Sequence, residues 1–407
     1  MAEHLRSHAH PGEDLAEEYL PERFSIVAGG GFHRLLGRLG LLEDDLLPSS
    51  TAALALALLA WCIPALVAVV QTAVDPAYSG WDYFGDATVY ARYLVAIYVM
   101  VATERLADER VILLTRHFQE AELLSGMARA RFVAAVRKAD RRSSSVSAEL
   151  LILFLALTLS FIFTRLSTEV AVETWEGMVG AAGSVTLSWA GEVSAFTSNA
   201  LFLFLVLRWL WRFLIWATLL WRASRLPLQI MPLHPDRCGG LGFLAIFPGI
   251  FSGLVFALSC VIAASFHKAL PVVGESDQTI WLAVAAWLVL VSLIFLGPLL
   301  FFVRPLYVAR ETAMLQYGRL AHKHHLAFHR RWIAGGADGK EILGSADPSS
   351  VSDLNASVQT AEDMITFPLD RSALLLLLGS AAAPLILVAA LQMPVGELMK
   401  LILGVLV

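Results

Sequence analysis

The stretch LFLFLVLRWLWRFLIWATLLWRASRL, residues 201–226, is apolar for longer than a bilayer requires, yet it carries Arg208 and Arg212 inside it. About 20 predominantly apolar residues cross the roughly 30 Å of hydrocarbon in a membrane. Over the whole chain of 407 residues, 57% are hydrophobic and 16% charged, and the mean hydropathy is +0.66. A water-soluble chain of that size is not normally so poor in charge. Residues 201–226 therefore read as a membrane span, and the chain as an integral membrane protein.

Seven apolar runs follow the same logic: 51–74, 88–103, 148–166, 196–220, 241–264, 279–303 and 372–393. The second is the weakest, interrupted by Arg92 and closed by TERLADER. The expected fold is all-α: a polytopic helical membrane protein with about seven transmembrane helices and cytoplasmic helical extensions. The opening residues, MAEHLRSHAHPGEDLAEEYLPERF, are polar and lack the apolar core of a secretory signal, so the first span is expected to remain as an anchor.

Basic residues set the expected orientation. The 104–146 loop holds nine Lys/Arg, the 221–240 loop three and the 304–371 loop eight. The alternate loops, 75–87, 167–195 and 265–278, hold only Lys268. Basic residues resist translocation, so the rich loops face the cytoplasm. This implies a cytoplasmic N-terminus and an external C-terminal piece. Residues 1–49 then form a cytoplasmic segment with an interfacial helix, and 50–103 spans one and two. A cytoplasmic helical loop (104–146), spans three to six (147–303) and a cytoplasmic helix and loop (304–371) follow. Residues 372–407 hold span seven and a short interfacial C-terminal helix. Phe32, Leu35, Leu36, Leu39 and Leu42 share the apolar face of the N-terminal interfacial helix. Leu106, Val111, Leu114, Phe118, Ala121 and Leu124 extend the second span below the membrane as a helix. Residues 304–333 read the same way, whereas the Gly-, Ser- and Asp-rich 334–365 reads mostly as loop.

Arg208 and Arg212 lie four apart, on one helical face, flanked by Trp209 and Trp211. An arginine at mid-membrane costs about 2.5–3.5 kcal/mol on insertion scales, so it is paired, wetted or snorkelling. Two readings stay open: interfacial anchoring by Arg and Trp, or an inward cationic lining for an anion or a lipid phosphate. Glu104, Asp108 and Glu149 occupy similar depths and are the candidate partners.

The span leads into LHPDRCGGLGFL, residues 233–244. His234, Asp236 and Cys238 are metal-ligand types, but zinc wants three or four ligands, and alternate positions in one loop rarely supply them. Pro235 and Asp236 suit a tight turn, and Gly239, Gly240 and Gly242 permit unusual backbone angles. The stretch reads as a structural elbow in which His234, Asp236 and Arg237 make local hydrogen bonds. His322, His325 and His329 fall on one helical face and are weak metal candidates; a basic helix near anionic lipid explains them as well. Pro248, Gly249 and Gly253 in span five, and Pro298 in span six, offer hinges or close packing.

Cys62, Cys238 and Cys260 are too few and scattered for a disulfide framework. Spans one, three, five, six and seven carry no acidic residue at mid-membrane depth, which disfavours ion-coupled transport. There is no phosphate-binding loop, nucleophile elbow, HExxH or dinucleotide fingerprint, so neither an enzyme mechanism nor a cofactor is indicated.

Four phrases in this order, FSIVAGGGFHRLLGRLGL, ARYLVAIYVMVATERL, RWLWRFLIWATLLWRASRLPLQIMPLHPDRCGGLGFL and EILGSADPSSVSDLNASV, resemble a family of bacterial multi-pass inner-membrane proteins. The Arg/Trp helix leading into HPDRxGGLGFL is the most specific part. Gly31 stands where that family more often has proline, and HKHHLAFH departs from a pattern richer in Tyr and Asp. The resemblance implies an inner-membrane location and nothing catalytic. The expectation is a homo-oligomeric, channel-like protein passing anions or small solutes and contacting anionic lipid on its cytoplasmic side, with no nucleic-acid partner. A non-conducting scaffold or sensor, and a membrane metalloenzyme, are the alternatives.

Overall fold

The computed structural model describes residues 24–42, 47–76, 78–170, 174–179, 185–273, 277–334 and 346–392. Helix makes up 81% of it, and strand among the described residues is limited to an antiparallel hairpin, β1 (Gly177–Val179) with β2 (Val185–Leu187). The protein is a polytopic all-α membrane protein. Among the described residues, six stretches are long and apolar enough to cross a bilayer: Ser50–Val74, Val146–Leu166, Trp189–Ala223, Gly242–Lys268, Trp281–Ala334 and Arg371–Ala390. They coincide with every apolar run of the sequence except the second.

In chain order the helices that matter here are α1 (Gly30–Arg38), α2 (Ser50–Val74), α3 (87–102), α4 (Glu104–Glu120), α5 (Gly126–Ser143), α6 (Val146–Val170), α7 (Trp189–Phe196) and α8 (Ser198–Ala223). They continue with α9 (Ser252–Val273), α10 (Asp277–Leu296), α11 (Val303–His329), α12 (Ala346–Glu362) and α13 (Arg371–Gln392). The Trp189–Ala223 stretch is 56% buried and Gly242–Lys268 50%, against 22–33% for the other four. Helices α8 and α9 are thus the inner pair, and the others turn apolar side chains outward, as lipid contact demands.

The second apolar run is α3. It is helical and central, with Val89, Tyr93, Ala96, Ile97, Met100 and Val101 all buried against α2 and α9. Its sixteen residues give about 24 Å, short of a full bilayer crossing. It turns into a π-helix over Tyr90–Ala96, a widening that tends to occur at functional sites. Thr103 separates it from α4, and Gly253 of α9 packs on that junction: a Cβ there would meet Thr103 side-chain atoms at 2.6 Å.

The helical extension expected over 104–140 is a hairpin of two helices. Glu122 (φ 51°) and Gly126 (φ 48°) reverse the chain between α4 and α5. The buried faces meet through Phe118 and Phe132, ring centroids 5.1 Å apart, while Leu106 stays exposed. The loop expected over 334–365 is corrected: residues 346–362 form α12, packed along α11. The polar composition hid it because the helix is held by polar side chains. Asp347 takes Arg331 (2.8 Å) and Trp332 Nε1 (2.9 Å), His324 meets Ser350 (3.0 Å), and Arg310 donates to the Glu362 carbonyl (2.6 Å).

The expected N-terminal helix is present but ends at Arg38. Leu36 and His33 are buried while Leu35 and Leu39 point outward. The hinge residues fall at real breaks. Pro248 opens a single helical turn that stops at Phe251 before α9, and Pro298 lies in a 3-10 stretch, Gly297–Phe302, between α10 and α11. Gly249 makes only ordinary contact with Leu376 and Ala373. The proposed C-terminal helix at 397–407 lies outside the described residues.

Gly253→Val is expected to destabilise the bundle by about 1–3 kcal/mol through overpacking against Thr103. Gly318→Ala, on an α11 face with nothing within 4 Å, is expected to be neutral or slightly stabilising. Thermal melts in one detergent, followed by tryptophan fluorescence, compare the two.

Candidate functional site

Two polar clusters sit on the seam between the α3/α4 line and α8, and the spacing of their residues sets them apart. On the α3/α4 side, Arg92 and Glu104 are twelve positions apart, about 18 Å along a helix. On α8, Asn199 and Arg208 are nine apart, about 14 Å.

The cluster on the side of the basic loops is ionic. Glu104 Oε1 takes Arg208 Nη1 at 3.0 Å and lies 2.9 Å from Arg212 Nη1. Arg208 Nε also approaches Glu149 Oε1 at 3.5 Å. Glu104 is fully buried, and Arg208 and Arg212 are 4% and 2% exposed. The guanidiniums also lie over rings, Arg208 over Phe32 at 4.8 Å and Arg212 over Trp209 at 5.6 Å. Burying a charge is tolerable only when it is paired and hydrogen-bonded.

The N-terminal segment closes this cluster. Asp108 Oδ1 accepts from Ser25 Oγ (2.7 Å) and from the Ile26 and Val27 amides (2.9 and 3.2 Å). Glu149 Oε2 accepts from the Gly31 and Phe32 amides at the start of α1. Gly29 and Gly30 adopt φ of 102° and 83°, and a Cβ on Gly30 would strike the Glu149 carboxylate. Phe24, Ile26 and Val27 are consequently buried. The satisfaction is incomplete: Glu104 Oε2, Asp108 Oδ2, His33 Nδ1 and both terminal nitrogens of Arg212 are buried without a hydrogen bond.

Of the three candidate partners, Glu104 and Glu149 pair with the arginines, whereas Asp108 takes the N-terminal segment instead. Neither arginine snorkels to a surface, because both are held inside by carboxylates. Nor do they form a bare cationic lining, since two carboxylates balance two guanidiniums. Trp209 is wholly buried, its Nε1 donating to the Met100 carbonyl at 3.0 Å. Trp211 is half-buried and donates to the Arg142 carbonyl at 3.4 Å.

The second cluster lines an open pocket of about 780 Å³ at the other end of the seam, its polar groups set among Phe163, Leu166, Phe202, Leu203 and Val261. Arg92, on the π-helical turn, donates to Asn199 Oδ1 at 2.8 Å. Tyr93 joins it, its hydroxyl 2.9 Å from Asn199 Oδ1 and 2.7 Å from Ser194 Oγ. Thr88, Ser160, Thr164, Glu176 and Lys268 complete the polar lining. Lys268 Nζ is 2.6 Å from Asp86 Oδ2, which also accepts from Trp175 Nε1 at 3.1 Å. Burial pushes the Glu176 carboxyl above the usual carboxylate range, against the pull of Arg92 and Lys268. Sequence reasoning passed over this pocket. Its signals were Arg92 interrupting an apolar run between tyrosines, and Lys268 as the one basic residue of the outer loops.

Between the two clusters the seam is apolar and closed, with Ala96, Ile97 and Met100 of α3 packed near Leu205 of α8 and Leu254 and Val255 of α9, all buried.

The 233–244 stretch is an elbow stitched by Asp236. Oδ1 accepts from the Cys238 amide (2.8 Å) and the Gly240 amide (3.1 Å), Oδ2 from the Gly242 amide (2.8 Å), and His234 Nδ1 lies 2.8 Å from Oδ1. Arg237 (φ 55°), Gly239 (63°) and Gly240 (89°) carry the turn. The elbow is tied to its neighbours by the Ile365 amide on the Arg237 carbonyl and the Gln229 amide on the Leu123 carbonyl. Burial pushes the Cys238 thiol up to about 11, with the Asp236 charge adding to it. With Asp236 engaged by amides and Cys238 kept protonated, the trio is built as a turn. Among the described residues no three His, Cys, Asp or Glu side chains converge on a metal-sized site. His322 and His329 lie exposed on α11, and His325 stands half-buried beside them.

Fold and site together define a polytopic helical membrane protein with a buried charge cluster and an open polar pocket on one helix seam. No family model, curated protein or solved structure matches the chain.

Two measurements follow. Glu104→Gln, which leaves two buried arginines with only Glu149 to balance them, is expected to destabilise by about 3–5 kcal/mol. Glu109→Gln, in an exposed pair with Arg105, is expected to change stability by less than about 1 kcal/mol. For Asp236, burial raises the pKa, but the amides of Gly242, Cys238 and Gly240 and the His234 contact outweigh it, leaving the carboxyl below its ordinary value. Its stabilisation is therefore complete above about pH 4 and is lost as pH falls through the depressed native value. Asp236→Asn should flatten that acid limb in a melt-against-pH series.

Proposed function

We propose that the protein is a channel-like inner-membrane protein of a bacterium that passes a small polar or anionic solute along the α3/α4–α8 seam, as a homo-oligomer with its N-terminus in the cytoplasm. The described conformation corresponds to its closed state. One observation carries the reading: two polar clusters at separate levels of a single helix seam, one open as a pocket and one sealed with orphaned polar atoms. Arg92, on a widened turn, recognises the entering solute. The buried atoms without partners, Glu104 Oε2 and Arg212 Nη2, are those a passing polar species would satisfy. Opening requires the apolar layer at Met100 and Leu205 to part, and the breaks at Phe251 and Gly297–Phe302 give α9 and α11 freedom to move.

A non-conducting sensor is the second reading, favoured by the two hairpins, α4–α5 and α11–α12, that extend from the bundle. Flux of chloride, phosphate and small neutral osmolytes into liposomes containing the purified chain separates the two. The expected result is flux that falls several-fold in Arg92→Ala and rises or becomes ungated in Glu104→Gln. Wild type and both variants all indistinguishable from empty liposomes would sink the conducting reading. Cysteine placed at Ser265, in the pocket lining, should react with a membrane-impermeant maleimide from the outer side only.

A further inference from the structure

We propose that the cavity between α5, α6 and α8 is a binding site for the headgroup of one anionic phospholipid, independent of any solute path. The cavity measures about 930 Å³, and its lining carries Arg137, Lys138, Arg141 and Arg142 with no carboxylate. The first three recur on one face of α5 at helical spacing, and all four are exposed. Ser147 of α6 adds a hydroxyl opposite them. Four cations around one concavity call for an anion, and a phosphate is the anion that guanidinium groups match best.

The apolar side of the cavity chooses a lipid over a soluble phosphate: Ala134, Ala148, Leu151 and Trp211 line it beside the cations. Above it a stripe of exposed apolar side chains runs up α6 through Leu151 (66% exposed), Phe154 (67%), Leu155 and Ile162. A headgroup seated on α5 would lay its acyl chains along that stripe. Half-buried tryptophan at such a boundary is the usual interfacial anchor. Basic pockets beside transmembrane helices on the cytoplasmic side bind anionic headgroups in this way.

The same turn of α6 has a second face. Ser147, Ala148 and Leu151 line the cavity, while Glu149 points inward to Arg208 and the start of α1. A lipid held outside braces the turn that positions Glu149, so occupancy stabilises the charge cluster without touching it.

The test uses the full chain in mild detergent. Phosphatidylglycerol or cardiolipin is titrated against thermal stability, with phosphatidylcholine as the neutral lipid and inorganic phosphate and glycerol phosphate as the headgroup without chains. Anionic lipid is expected to raise the melting temperature saturably, and neither phosphatidylcholine nor the free phosphates to do so. Each cation removed from the set Arg137→Gln, Lys138→Gln, Arg141→Gln and Arg142→Gln should weaken the lipid effect about fivefold. Arg319→Gln, a basic residue on α11, should leave it unchanged. Leu151→Gln should weaken lipid binding though no charge is lost. The quadruple variant must melt as wild type in phosphatidylcholine; if it does not, native mass spectrometry of retained lipid on the single variants replaces the melt. An anionic-lipid effect that survives all four substitutions, or one matched by free phosphate, overturns the assignment.

Discussion

A single buried carboxylate, Glu104, shared by two guanidiniums, is the interaction on which the rest of the bundle depends. Without it Arg208 and Arg212 could not lie inside α8, because an uncompensated buried charge costs several kcal/mol. With it, α8 can be the inner helix although it carries two cations. Its aromatic face is then free to pack: Phe213 stands 5.3 Å from Phe251 and 5.2 Å from Phe295, and Trp216 stacks on Phe247 at 6.2 Å. The same carboxylate sits at the junction of α3 and α4, so pairing with α8 also fixes where the α4–α5 hairpin begins. Glu149 and Asp108 extend the arrangement to the N-terminal segment, which could not be buried at Phe24–Val27 without acceptors for its amides.

Much of this was legible in the sequence because lipid imposes a simple rule. A run of apolar residues near bilayer length has few other uses, so the six long spans could be read directly. Depth along the chain even nominated Glu104 and Glu149, since residues at equal distances from the spans' ends meet; Asp108, nominated with them, turns to the N-terminal segment. What depth could not say is whether the charges balance. The arginines read equally well as anchors or as a lining, and only the packing of α4 and α6 against α8 closes them into a neutral cluster. The elbow was readable because Asp and Gly at those offsets have backbone consequences that need no partner. Helix α12 was not, because Ser, Asn and Asp composition resembles a loop until α11 supplies partners for Asp347 and Ser350. The outer pocket was missed for a related reason: Arg92, Asn199, Glu176 and Lys268 come from four separate segments, and no local spacing connects them.

The two polar levels differ in kind, and the difference follows from their surroundings. At the outer level Arg92 answers a neutral amide, Asn199, and faces a pocket open enough for water to share its solvation. At the inner level there is no such opening, so every cation needs a carboxylate. An open polar pocket tolerates loosely satisfied groups, whereas a sealed one makes each orphaned atom a standing cost of about 1–3 kcal/mol. That cost sits at Glu104 Oε2 and Arg212 Nη2, between α4 and α8.

The α6 turn at 147–152 shows how the membrane surface can enter this balance. Glu149 faces the cluster and Ala148 and Leu151 face the basic cavity, so one rigid helical turn belongs to both. A helix interior transmits displacement well because its backbone hydrogen bonds resist local deformation, and the flanking contacts here are buried on one side only. An anionic lipid in the proposed site would brace the turn from which Glu149 reaches Arg208, and that bracing needs no solute path.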